Sequence, residues 1–121
     1  MALTRDQIRE RLKYAQLTLS GTMASIFSSD VAERAKRNIV LIWMNGDGTA
    51  RTVNVEKVKE DDTWDMIFKA VHVPATDDIE IPKSGFDIEN PIIVLEGGTN
   101  LSFIASAGTP YVTVVWYDDE L

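Results

Sequence analysis

The sequence predicts an all-β domain: an antiparallel, jelly-roll-like β-sandwich of seven or eight strands with a short N-terminal helix. Two observations predict the sandwich. From residue 38 onward, short apolar or alternating runs follow one another, and Gly, Pro, Asn and Asp residues separate them about every eight to twelve positions. The helix is predicted by a Thr-x-x-Gln pattern ahead of apolar residues that recur at helical spacing.

The helix is predicted over residues 4–13, where Thr4 and Gln7 form a capping box ahead of Ile8 and Leu12. The end of this helix stays open, because residues 15–19 also alternate apolar and polar side chains as a strand does. Two weaker elements follow, a short strand over 22–28 and a polar loop or helical turn over 30–36.

Residues 38–44 are apolar on both faces of a strand, so this strand must be covered twice. One cover is the core of the domain, and the other is either the helix or a neighbouring subunit. On the second alternative, Val40, Ile42 and Met44 form an oligomer interface. The sequence Asn45-Gly46-Asp47-Gly48 then predicts a β-hairpin whose returning strand spans 49–58.

The strand predicted over 64–72 has Trp64, Met66, Phe68, Ala70 and His72 on one face, which we expect to be buried. His72, the one histidine, is therefore expected to be a structural residue rather than a ligand. The three tryptophans are expected in the core. Further strands are predicted at an edge segment over 79–81, ended by proline, and over 92–95, 101–106 and 111–117.

Charge is distributed unevenly along the chain. The net charge is −7, yet residues 1–37 carry a net charge of +3 and the remainder −10. We therefore describe one domain as a basic N-terminal helix or arm (1–37) and a sandwich body (38–121). Opposite charges steer docking, so the candidate partner-binding residues are Arg5, Arg9, Arg11 and Lys13. The alternative is a solvated helix face.

The composition gives little support for a catalytic, metal or cofactor site. The chain has no Cys, which excludes disulfides and thiolate metal sites, and its glycines lack the strand-to-helix context of phosphate loops. We expect no catalytic residue, no metal and no cofactor. The acidic balance argues against nucleic-acid binding, and no apolar run approaches the ~18 residues of a membrane span. A hydrolase that uses two paired carboxylates stays an open alternative, because the distance between the two carboxylates depends on the fold and cannot be read from the sequence.

The stretch from Arg34 to Glu120 resembles small β-sandwich structural proteins of tailed viruses and prophages, namely decoration and head-and-tail accessory proteins. The resemblance rests on an ordered series of segments, and the long N-terminal segment lies outside it. The series is Arg37-Asn38-Ile39-Val40-Leu41-Ile42, Asn45-Gly46-Asp47-Gly48, Thr49-Ala50-Arg51-Thr52-Val53, Pro74-Ala75-Thr76-Asp77-Asp78-Ile79, Val94-Leu95-Glu96-Gly97-Gly98, Leu101-Ser102-Phe103-Ile104-Ala105-Ser106-Ala107 and Val112-Thr113-Val114.

The resemblance implies a non-enzymatic capsid decoration protein that works through surfaces. It implies a homo-oligomer, expected to be a trimer, that binds the major capsid protein on the outside of the virion and stabilises the shell. The alternative function is a tail-associated or cell-surface module that presents the same sandwich to a glycan or another ligand.

Overall fold

A computed structural model describes residues 3–27, 36–59, 61, 63–83, 85, 87–96 and 98–119. These residues form one helix, α1 (Arg5–Arg11), and nine strands. The strands are β1 (Lys13–Thr18), β2 (Ala24–Ser25), β3 (Arg37–Asn45), β4 (Arg51–Val58), β5 (Trp64–Val73), β6 (Asp78–Ile81), β7 (Ile93–Leu95), β8 (Asn100–Ala105) and β9 (Tyr111–Asp118).

The strands form two antiparallel sheets, which confirms the predicted sandwich. Sheet A has the order β1-β9-β3-β6, with β7 also paired to β3, and sheet B has the order β2-β8-β4-β5. The chain changes sheet at every connection except those from β4 to β5 and from β6 to β7. With β7 set aside, this is the connectivity of a jelly roll, a fold that viral capsid and lectin domains share.

The core lies between the inner faces of the two sheets. Phe103 of β8 is the largest of the fully buried side chains there. Alternate side chains of β8 and β9 face this core and are at most 9% exposed. These are Leu101, Phe103, Ala105, Val112, Val114 and Trp116.

The N-terminal segment completes both sheets instead of forming a separate arm. Leu12 is the C-cap of α1 and has extended φ and ψ angles of −60° and 131°, so the chain passes from helix to strand. β1 pairs with β9, and β2 pairs with β8. The division of the single domain at residue 37 stays a prediction. The predictions over 28–35 fall outside them.

The hairpin predicted at residues 45–48 is wrong, because β3 lies in sheet A and β4 in sheet B. The segment is a corner between the sheets, packed against the chain that joins β5 to β6. A Cβ atom on Gly46 would lie 2.0 Å from the Pro74 carbonyl oxygen, and Gly48 has a φ of 99°. The same glycines that favour a hairpin also permit this corner.

Asp47 ties this corner to the next one. Its carboxylate accepts hydrogen bonds from the backbone N–H of Thr109 at 2.7 Å and of Thr49 at 3.2 Å, and from Arg51 Nε at 3.3 Å. Thr109 lies in the turn between β8 and β9. The Thr109 N–H contributes most to lowering the pKa of Asp47 below its usual 3.8, and Thr49 and Arg51 lower it further.

The burial predicted for the β5 face is wrong. Two register shifts against β4 change the alternation along β5. At one of them Ala70 has a φ of 53°, and its N–H donates to Asn54 Oδ1 at 2.8 Å. Phe68 consequently packs against the core. Four members of the face are exposed to solvent instead: Trp64, Met66, Ala70 and His72.

We predict that Asp47→Asn lowers the free energy of unfolding at pH 7. The ionised carboxylate accepts hydrogen bonds from three donors, and a neutral amide is a weaker acceptor for them. A lowered native pKa stabilises the fold above pH 3.8, the usual pKa, and this contribution is lost as the pH falls through the native pKa. The difference between the variant and the natural protein should therefore shrink on acidification. Urea unfolding followed by tryptophan fluorescence measures it.

Asp65→Asn is the matched control for this prediction. Asp65 pairs with Lys59 at 3.5 Å, and its side chain is 63% exposed, so its loss should change the free energy of unfolding little at pH 7. Equal effects of the two substitutions would contradict the role assigned to Asp47.

Candidate protein-binding surface

Helix α1 lies on the outer face of sheet A. Ile8 is 5% exposed and packs in a small cluster with Val40, Ile88 and Tyr117. Tyr117 follows Trp116, which faces the main core, so Tyr117 points outward on β9. Of the two covers left open for the β3 strand, the helix is the one that the structure shows.

The three residues expected at an oligomer interface are covered by this chain itself. Val40 is 1% exposed, and Ile42 and Met44 are fully buried. A register shift between Ile39 and Leu41 turns Val40 toward the helix, whereas Ile42 and Met44 face the main core. None of the three offers surface to a second subunit in this fold, so their prediction as an interface does not agree with the structure.

The four basic candidates differ in exposure. Arg5 and Arg9 are exposed one helical turn apart, whereas Arg11 is partly buried. Lys13 Nζ lies 3.3 Å from Asp118 Oδ2, a carboxylate that also pairs with Arg37 Nε at 3.5 Å. Arg5 and Arg9 are therefore the better placed pair for a partner, and their binding role stays a prediction.

Arg5 also acts on the turn that supports the helix. The Asp87 carboxylate accepts from the Glu89 N–H at 2.9 Å and from the Asn90 side chain at 2.8 Å. The Glu89 N–H is the main cause of the lowered pKa of Asp87, followed by Asn90, and the positive charge of Arg5 lowers it further. The turn carries Ile88 into the cluster beneath α1.

The rest of the outer face of sheet A presents aromatic side chains to solvent. Tyr14 on β1 is 72% exposed, Tyr111 on β9 is 39% exposed, and Trp43 on β3 is half-buried. The strand registers place Gln16, Thr113, Trp43 and Glu80 in one row across the sheet. We call the surface formed by Tyr14, Trp43 and Tyr111 the aromatic face.

Hydrogen bonds hold parts of this surface in place. Trp43 Nε1–H donates to a carboxylate oxygen of Asp78 on β6, and this bond is the main cause of the lowered pKa of Asp78. Gln16 Nε2 donates to Thr113 Oγ1 at 3.2 Å. Fixed Tyr and Trp rings lose little conformational freedom on binding, and Tyr, Trp and Arg are enriched at interface centres.

Two depressions open near the β6 edge. One, of about 310 Å³, is polar and has Asp77 and Asp78 in its lining. The other, of about 480 Å³, is an apolar groove lined by Phe68, Val71, His72, Ile79, Glu80, Ile81 and Lys83.

In the part of the chain that the structure describes, no three His, Asp or Glu residues are grouped so as to hold a metal ion. None of its helices has the length and apolar character of a membrane span.

The aromatic face was missed from the sequence, which placed all three tryptophans in the core. Trp116 is buried, but Trp43 points outward and Trp64 is 52% exposed. A usable signal was present in β1, where Tyr14 and Gln16 alternate with Ala15 and Leu17. That pattern identifies one outward face once the segment is known to be a strand.

Comparison with known proteins gives little. No protein-family model matches the chain, and no curated protein sequence matches it. One solved structure that is similar is described as "Structure of infectious bursal disease virus Gt strain", with a TM-score of 0.47 and 9% sequence identity. The match covers 88% of this chain but 33% of that one, so this chain spans about a third of its length.

We predict that Ile8→Ala costs about 2 kcal/mol of stability, because it removes most of the buried side chain that anchors α1. Arg9→Ala, one residue away, should change stability by less than about 0.5 kcal/mol. Urea unfolding gives both values, and hydrogen exchange of the α1 amides should accelerate in Ile8→Ala alone. Equal exchange in the two variants would contradict the anchoring role of Ile8.

Proposed function

We propose that this chain is a non-enzymatic viral structural protein, a decoration protein that binds the outside of a capsid and stabilises it. It acts as a homo-oligomer, a trimer, and its partner is the major capsid protein. The proposal includes no nucleic acid, membrane or cofactor.

The observation that carries the proposal is the outer face of sheet A. Tyr14 and Tyr111 are exposed there although they are large, and Trp43 is fixed by its hydrogen bond to Asp78. Helix α1 lies on the same side of the sheet and adds the exposed Arg5 and Arg9. Tyr, Trp and Arg are the residue types that are enriched at the centres of protein interfaces.

The fold and the sequence resemblance agree with this proposal. Jelly rolls occur in viral capsid and lectin domains, but a fold by itself does not assign a function. The segments from Arg37 to Val114 resemble those of decoration and accessory proteins. A shell displays many copies of one binding site, so modest contacts per copy produce high avidity when the bound copies are joined.

The proposal predicts that the protein copurifies in many copies with particles of the virus that encodes it, and that adding it raises their heat resistance. Arg5→Glu combined with Arg9→Glu should reduce the number of bound copies, because it reverses the charge of the exposed helix face. Copy number per particle, from gel densitometry, measures the effect, which should grow weaker at high salt.

The control replaces Lys69, an exposed residue on β5 in sheet B, in the variant Lys69→Glu. It reverses one charge on the opposite side of the sandwich and should leave binding unchanged. Arg9→Glu alone changes the net charge by the same two units as Lys69→Glu, and it should lose bound copies. Equal loss in these two single variants would show that net charge matters and the helix does not. A protein that never associates with particles, and that sediments as a monomer at high concentration, would contradict the proposal.

One observation favours a second candidate, a glycan-binding module. The outward Trp43 ring next to the Asp78 carboxylate combines a stacking surface with a hydrogen-bond acceptor, as a sugar site requires. A glycan binder should show saturable heat on titration with a free sugar, and Trp43→Ala should abolish it. A decoration protein should show no such heat and should retain particle binding in the presence of sugar.

A further inference from the structure

We propose that the outer edge of β6 binds an extended segment of a partner polypeptide in which basic residues alternate with apolar ones, as an added antiparallel strand of sheet A. This goes beyond the proposed decoration function and does not rest on it. Binding to a strand edge uses backbone hydrogen bonds for affinity and alternate side chains for specificity.

The first support is the pairing of β6. It pairs with β3 on one side, and the described residues contribute no strand to its other side. Its side chains alternate: Ile79 and Ile81 pack partly against the core, whereas Asp78 and Glu80 are exposed on the outer face. An added strand would continue this alternation.

The second support is the apolar groove beside this edge. It has a volume of about 480 Å³ and lies between β5 of sheet B and β6 of sheet A. Phe68 and Val71 line it from one sheet, and Ile79 and Ile81 line it from the other. The inward side chains of an added strand would occupy this groove and remove its apolar lining from water.

The third support is charge. Asp78 and Glu80 present two carboxylates on the outer side of β6, and opposite charges on neighbouring strands stabilise pairing whereas like charges disfavour it. Lys83, just beyond the end of β6, also lines the groove. An antiparallel partner segment therefore fits best with an acidic residue first, opposite Pro82 and next to Lys83, and with basic residues two and four positions later, opposite Glu80 and Asp78.

The other strand edge nearby is less suited to such a partner. β5 carries two register shifts and the positive φ of Ala70. Bulges of this kind obstruct edge pairing. No such irregularity interrupts the pairing of β6 with β3 over Asp78–Ile81.

Other occupants fit the observations less well. The other edge strands of sheet A among the described residues are β1 and β7. The exposed residues Tyr14, Gln16 and Val94 on their outer faces carry no positive charge to pair with Asp78 and Glu80 of a second copy. Pairing β6 with β6 of a second copy would bring like carboxylates together. A small apolar ligand would fill the groove without using either the strand edge or the two carboxylates.

The test uses the full chain, labelled with ¹⁵N, and the capped peptide Glu-Val-Lys-Val-Lys-Val. Saturable shifts of the β6 amides should appear at up to about 1 mM peptide. The charge-swapped peptide Lys-Val-Glu-Val-Glu-Val should bind at least several-fold more weakly. A peptide with N-methylated backbone amides on its pairing edge should not bind, because it cannot donate to β6.

Matched variants locate the site. Glu80→Gln should weaken binding of the first peptide about two- to five-fold, whereas Gln16→Lys, the same change in net charge in the same row of the sheet, should not. Glu80→Lys should shift preference toward the swapped peptide. Equal binding of both peptides, unchanged binding by Glu80→Gln, or no saturation would overturn the proposal. Two further results would overturn it. One is self-association of the protein that Glu80→Gln abolishes, and the other is a groove that binds a fatty acid while the peptide causes no shifts.

Discussion

The packing of the two sheets against each other is the contact on which the rest of the structure depends. It buries the inner faces of β3, β4, β8 and β9, and so it assigns their alternate residues to the outside. The outer side of sheet A is covered by α1 in part, through Ile8. The uncovered part is the aromatic face, so the residues proposed to bind a partner are those that the fold itself does not bury.

The corners between the sheets are the second constraint, because the chain changes sheet at each of them. Asp47 accepts hydrogen bonds from its own corner and from Thr109 in another. Gly46 allows the carbonyls of Pro74 and Ala75 to approach closely. These contacts lie at the end of β3 and just before the start of β9, the strands that carry Trp43 and Tyr111.

The sequence predicted the class of fold, the helix and nearly all of the strands, because alternation and turn residues are local properties. It could not tell which sheet a strand joins, so Asn45-Gly46-Asp47-Gly48 was predicted as a hairpin. It also could not detect the bulges in β3 and β5, which shift the alternation. For that reason Val40 was grouped with Ile42, and His72 was expected to be buried. Of the candidate site, the exposed Arg5 and Arg9 were predicted, but the aromatic face depends on strand neighbours distant in sequence.

The central claim is that the outer face of sheet A is where the chain meets its partner. Hydrogen–deuterium exchange of the protein, free and bound to capsid particles, tests it most directly. Binding should slow exchange in α1, β1 and β9 and should leave β4 and β5 unchanged. Slower exchange confined to sheet B would contradict a partner site on sheet A. Unchanged exchange throughout the protein while it is bound to particles would also contradict it.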